Sequence, residues 1–264
     1  GGGGGGPWSN PLNWNDDIHT PETVAAPVDL VFPSGVSQTN ADNDLTALTI
    51  NSISFSGKDY TLTGNGITLG GAASGSGFIV ANAGAVNNKI SFPIQLGGAA
   101  GNRQFFTVGT VGASLEVTGQ LSGTTGVELS KDGPGALILT SDNSPFTGPI
   151  SIVEGAINIR NQFALGTAAA PTTVLSSVQK SGQLQVQDVV GNIAEPLFLN
   201  GHGPLNDGAL LNVAGINTVT GNLELDSDAT IGANAGSLII NGIISDLGAG
   251  HNLTKEGGGQ VVLD

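Results

Sequence analysis

The sequence predicts an all-β protein, a right-handed parallel β-helix (β-solenoid) forming one elongated domain. Three observations lead there. Short segments alternating apolar and polar residues recur between single Gly, Asn, Asp or Ser residues, and helical i, i+3, i+4 spacing is nearly absent. Aromatic residues are few (Phe 9, Trp 2, Tyr 1), which suits a thin aliphatic interior better than a sandwich with large core anchors. A twelve-residue unit also returns at an offset of 124 residues, the mark of an architecture built by repetition. A sandwich or barrel of hairpins is the competing solution. Two-residue hairpin turns such as Asn241-Gly242 and Asp207-Gly208 are outnumbered by single-residue corners.

Taken in order, residues 1–32 read as a glycine-rich lead and a capping segment. The chain opens on Gly1 to Gly6 rather than Met, as a processed product or an excerpt of something longer would. Trp8 and Trp14 stand among Asn and Pro, where they suit packing over a first coil better than stacking on sugars. Residues 33–264 read as the solenoid. Strand-like alternation fills 48–55, 60–62, 66–69 and 78–80, then 114–117, 150–153, 156–159, 183–187, 221–225 and 237–240. One short helical turn is expected around residues 162–170. A repeat of roughly 20–25 residues gives about 10–12 coils. At about 4.8 Å per stacked strand the rod would be about 50–60 Å long. Asn, Thr and Ser at the corners can hydrogen-bond from coil to coil along the axis.

The repeated unit is Leu129-Ser-Lys-Asp-Gly-Pro-Gly-Ala-Leu-Ile-Leu-Thr140, which aligns without gaps with Leu253-Thr-Lys-Glu-Gly-Gly-Gly-Gln-Val-Val-Leu-Asp264. A similar short strand precedes each copy, Gly119-Gln-Leu-Ser-Gly and Asn241-Gly-Ile-Ile-Ser. In both copies the lysine is followed by an acid, Asp132 or Glu256, which reads as a structural corner carrying a modest surface ion pair.

Composition excludes several functions. The net charge of −14 repels phosphate backbones, so no nucleic-acid partner is expected. Without cysteine there is no disulfide framework and no thiolate metal site. No run of 18 apolar residues exists, so the chain is not expected to span a membrane as a helix. With 39% hydrophobic and 11% charged residues, it is also too apolar for ordinary disorder.

The unit L-[ST]-K-[DE]-G-x-G-x-L-x-L, followed by Asn143, Phe146-Thr-Gly148 and Val153-Glu-Gly155-Ala-Ile157, resembles the autotransporter-associated β-strand repeat of bacterial passenger proteins. Residues 119–159 carry one whole copy and 241–264 the first half of another. Residues 45–96 look like a divergent copy, and 8–32 like the leading portion of such passengers. The resemblance implies an exported, extracellular or cell-surface β-solenoid, a non-enzymatic structural or adhesive rod. Its conserved positions serve turns and stacking, so no catalytic residue carries over, and no cofactor or metal is expected.

The second copy stops where the first continues, which leaves an open coil. Two explanations compete: the chain is an excerpt of a longer passenger whose next coil covers it, or subunits stack head to tail into an extracellular fibre. Candidate stacking residues are Trp8, Trp14 and Phe32 at one end and Leu253, Val261, Val262 and Leu263 at the other. Surface glycans or matrix are further partners to consider. The runner-up is a carbohydrate-binding or polysaccharide-degrading β-helix, but the clustered carboxylates such chemistry needs are not visible and Arg103 and Arg160 are far apart. His19, His202 and His251 have no ligand partners at metal spacing and read as surface-loop residues. Asp16-Asp17, Asp42-Asn-Asp44 and Asp226-Ser-Asp228 could in principle offer oxygen ligands to calcium, but turn and corner roles are the default.

Overall fold

A computed structural model describes residues 5–14, 20–22, 28–71, 75–123 and 125–264. The chain is an all-β parallel solenoid of about nine turns. Every pairing between the named strands is parallel, and the strands fall into three stacks. Gly1 to Gly4, Asp16-Asp17 and His19 lie outside the described residues.

The first stack runs from Asp29–Phe32 through Ser52–Phe55, Gly77–Ala81, Arg103–Val108, Glu128–Asp132, Ile150–Ile152, Thr172–Val174 and Leu197–Gly201 to the start of Leu223–Ala233 and Ile244–Ser245. The second runs from Gly6–Pro7 and Asn40–Asn43 to Leu253–Glu256. The strand Leu223–Ala233 bends through both stacks and joins them into one 20-stranded sheet.

The third stack is in two pieces, Leu48–Ile50 to Leu121–Gly123 and Asn192–Ile193 to Gln260–Leu263. Between them residues 141–147 and 161–170 form turns instead of strands. The helical turn expected near 162–170 is a pair of hydrogen-bonded turns, Ala164 N to Asn161 O (3.1 Å) and Gly166 N to Phe163 O (2.9 Å). The one helical element among the described residues is the 3-10 turn Pro11–Asn13.

Period-2 alternation decides what faces the interior. In the first stack Leu30, Ile53, Ile79, Phe106, Ile152 and Val174 share one inward row, all nearly inaccessible. Past the N-terminal segment coils advance by between 19 residues (Leu48 to Ile67) and 28 residues (Thr61 to Lys89), since corner lengths vary. The count is therefore about nine turns rather than 10–12. At about 4.8 Å per step the stack is about 43 Å long.

The few aromatics concentrate near the start. Trp8 packs on Phe32 (centroids 6.2 Å) and edge-on to Phe92 (5.7 Å), and Phe32 stacks on Phe55 (5.4 Å) in the next coil.

Asn143 replaces a strand where the third stack is interrupted. Its Oδ1 accepts from Leu121 N (2.7 Å) in the preceding coil, and its Nδ2 donates to Ala164 O (2.7 Å) in the following one. The buried side chain thus continues a ladder that the backbone has left. Phe146, also buried, fills the interior below it. Asn88 does similar work at another corner, accepting from Tyr60 N (2.9 Å) and donating to Gly57 O (3.1 Å).

Candidate functional site

The repeated lysine is the first feature to resolve. Lys131 aligns with Phe106 and Ile152, so its stem lies on the inward row, fully buried. Its Nζ turns out to the corner and donates to three backbone carbonyls: Asp132 O (2.9 Å), Gly133 O (2.7 Å) and Glu154 O (3.0 Å). All three ammonium protons are used. Burial pushes this lysine down to about 7, with Asp132 and Glu154 pulling the other way.

The surface ion pair expected between Lys131 and Asp132 is not formed. Alternation turns the two side chains to opposite faces, and Asp132 pairs with Lys180 (2.6 Å) from two coils further on. Desolvation is the largest single influence on Asp132 and opposes its ionisation, but the hydrogen bond from Lys180, the Gly133 N–H and the charge of Lys180 together outweigh it and hold the carboxyl below its usual range.

The second copy uses the same device. Lys255 Nζ donates to Gly257 O, as Lys131 does to Gly133 O. Leu253, Lys255, Val261 and Leu263 continue the inward rows of Ala229, Ile231, Leu238 and Ile240. The two copies nevertheless occupy different faces. Leu129–Thr140 spans the first and second stacks, whereas Leu253–Asp264 spans the second and third. An offset of 124 residues is not a whole number of coils.

The candidate stacking residues are not equivalent. Trp8 and Phe32 are buried in the chain's own core. Trp14 is partly buried and donates its Nε1 proton to Trp8 O (2.8 Å). Leu253 and Leu263, by contrast, are 37% and 61% exposed although they lie on inward rows. Val261 is partly buried and packs on the core, and Val262 faces outward with Ile239. No strand among the described residues pairs with the far edge of Leu253–Glu256 or Gln260–Leu263.

The acidic pairs serve corners. Asp42 accepts from Thr63 Oγ1 (2.8 Å), Asp44 from Ser9, and Asp228 from Asn252 N (2.8 Å). Their partners lie 21 to 35 residues away, so these carboxylates tie one coil to another or to the N-terminal segment. His202 Nδ1 lies 2.7 Å from Thr230 Oγ1, and His251 Nδ1 lies 3.9 Å from Asp228.

Two features escaped the sequence reading. A groove of about 740 Å³ crosses the corner between the first and second stacks, bordered by loops at 111–113, 176–181 and 202–206. The break in alternation between residues 175 and 182 is the signal that could have marked its wall. Glu195 is the other. Its carboxyl is buried with one hydrogen bond, from Thr172 Oγ1 (3.1 Å), and burial raises it to about 8. A lone acid before Pro196 carries no sequence signal.

No helix among the described residues is long and apolar enough to cross a membrane. No family model, no curated protein and no solved structure matches the chain. Fold and surface together define a parallel β-solenoid protein.

Proposed function

We propose that this protein is a non-enzymatic structural and adhesive rod of the autotransporter-passenger type, acting outside the cell and associating end to end through its last coil. One observation carries the reading. Lys255, Val261 and Leu263 keep the inward pattern that buries Lys131, Leu137 and Leu139, yet they stand at an uncovered strand edge. Lys131 draws one of its three carbonyls, Glu154 O, from the coil that follows it. A further coil laid on Leu253–Leu263 would cover the apolar row and bring carbonyls to Lys255 in the same way. Residues following Asp264 in a longer protein or a second copy of this chain can each supply that coil, and the second is the source proposed for self-association.

The test is sedimentation velocity with negative-stain microscopy of the full chain over a range of concentrations. End-to-end oligomers or filaments are expected, and Leu263→Asp should return them to monomers without lowering the unfolding temperature. Monomers at every concentration overturn the self-association. Assembly undisturbed by Leu263→Asp overturns the proposed interface.

A further inference from the structure

The groove follows from unequal corner lengths. The corners before Ala136 and Ala156 are short, at 133–135 and 153–154, whereas those before Ser114 and Gly182 run through 109–113 and 175–181. Long corners stand up as walls and short ones lie flat as a floor. Lys180 fixes one wall, because its ammonium reaches back to Asp132 (2.6 Å) and Glu154 (3.5 Å). The rims carry three exposed apolar side chains, Val111 (77%), Val178 (104%) and Leu205 (78%).

The floor lies flat because two coils approach closely at Gly155. Gly155 has φ +68°, and a Cβ there would sit 2.4 Å from both Gly133 O and Gly135 O. With Gly135, Ala136 and Ala156 it forms a flat apolar strip across two coils, about 10 Å wide. Beside the strip lie two amides held in fixed orientation. Gln183 Nε2 donates to Asp207 Oδ1 and Gly208 O, both at 2.7 Å, and Gln185 Nε2 donates to Gln183 Oε1 (2.7 Å). Gln185 Oε1 accepts from Asn158 (3.1 Å). Gln183 is itself buried, so what remains for a ligand is one N–H and one lone pair of the oxygen on Gln185.

These features select the ligand class. The one ammonium at the groove, Lys180, is shared by two carboxylates, Asp132 and Glu154, so no unpaired cation awaits a phosphate or carboxylate. A peptide could not add as a strand, since Ala136 N and Ala156 N already donate to Ala113 O (2.9 Å) and Gly135 O (3.2 Å). A flat C–H face with hydroxyls around its rim matches an apolar strip flanked by amides.

We propose that the groove binds a neutral oligosaccharide, its ring faces on Ala136 and the accessible edge of Ala156 and its hydroxyls on Gln185, which the buried Gln183 holds in place. This deepens the adhesive part of the proposed function and rests on it, while standing apart from self-association. The experiment is isothermal titration of the full chain with neutral hexasaccharides (β-1,4-glucan, β-1,3-glucan, α-1,4-glucan, β-1,4-mannan and β-1,4-galactan), with oligogalacturonate as the charged counterpart. At least one neutral sugar should saturate the protein, with the uronate at least about tenfold weaker. Ala156→Trp, which fills the floor, and Gln185→Leu, which removes the amide, should each weaken binding by about tenfold or more. Gln185→Leu carries the comparison if Ala156→Trp does not fold. The inference is overturned by absence of saturable binding up to about 1 mM, by preference for the uronate, or by affinity unchanged in the folded variants. Filaments in the microscope without sugar binding would sink the groove and leave the rod. Sugar binding by monomers would do the reverse.

Discussion

Glu195 and Lys131 give the protein an unusual dependence of stability on pH. Glu195 has its carboxyl raised from 4.5 to about 8 by burial. The folded state holds this proton over a range where the unfolded chain releases it. Its contribution is therefore complete below about pH 4.5 and is lost as pH rises through about 8. The slope in that window is about 1.36 kcal/mol per pH unit, so on the order of 2–3 kcal/mol disappears between pH 5 and 7, with a ceiling on the order of 5 kcal/mol over the whole shift. Lys131 works in the opposite direction. Burial lowers it from 10.5 to about 7, so stability rises with pH above about 7, where the folded state has released a proton that the unfolded chain still binds.

The two slopes nearly cancel between pH 7 and 8. Stability should fall from pH 5 to 7, pass through a shallow minimum and rise again towards pH 9. Urea unfolding at half-unit intervals of pH measures this directly. Glu195→Gln keeps the shape of the side chain and removes its titration, so it should flatten the limb between pH 5 and 7 and leave the rise above pH 8. Superimposable profiles for the wild type and Glu195→Gln would refute the reasoning.

Two further substitutions test the corners. Asn143→Ala removes both side-chain bonds that bridge the interrupted third stack and orphans Leu121 N and Ala164 O. A loss of about 2–4 kcal/mol in urea unfolding is expected, with faster hydrogen exchange at Leu121. Gly155→Ala places a methyl against two carbonyls at a positive φ, so a loss of about 2 kcal/mol or more should appear as a lowered urea midpoint with an unchanged m-value.

The amino-acid sequence by itself determined the class of fold and the side taken by residues in its alternating strands. Alternation with period 2 is local, so Leu115 and Val117 could be assigned inward and Glu116 outward before any coil was built. It also marked Leu129–Thr140 and Leu253–Asp264 as the same device. Tertiary structure alone decided where the device points. The face on which a unit falls depends on the summed lengths of all corners between the copies, which no single motif records, and here the copies land one face apart. The environments of charge were hidden for the same reason. Lys131 reads as half of a surface pair until the following coil supplies Glu154 O, and Asp132 finds its cation 48 residues away on a loop from another coil. Groove and buried acid are likewise products of stacking, since both are made by residues that meet only when successive coils are laid one on another.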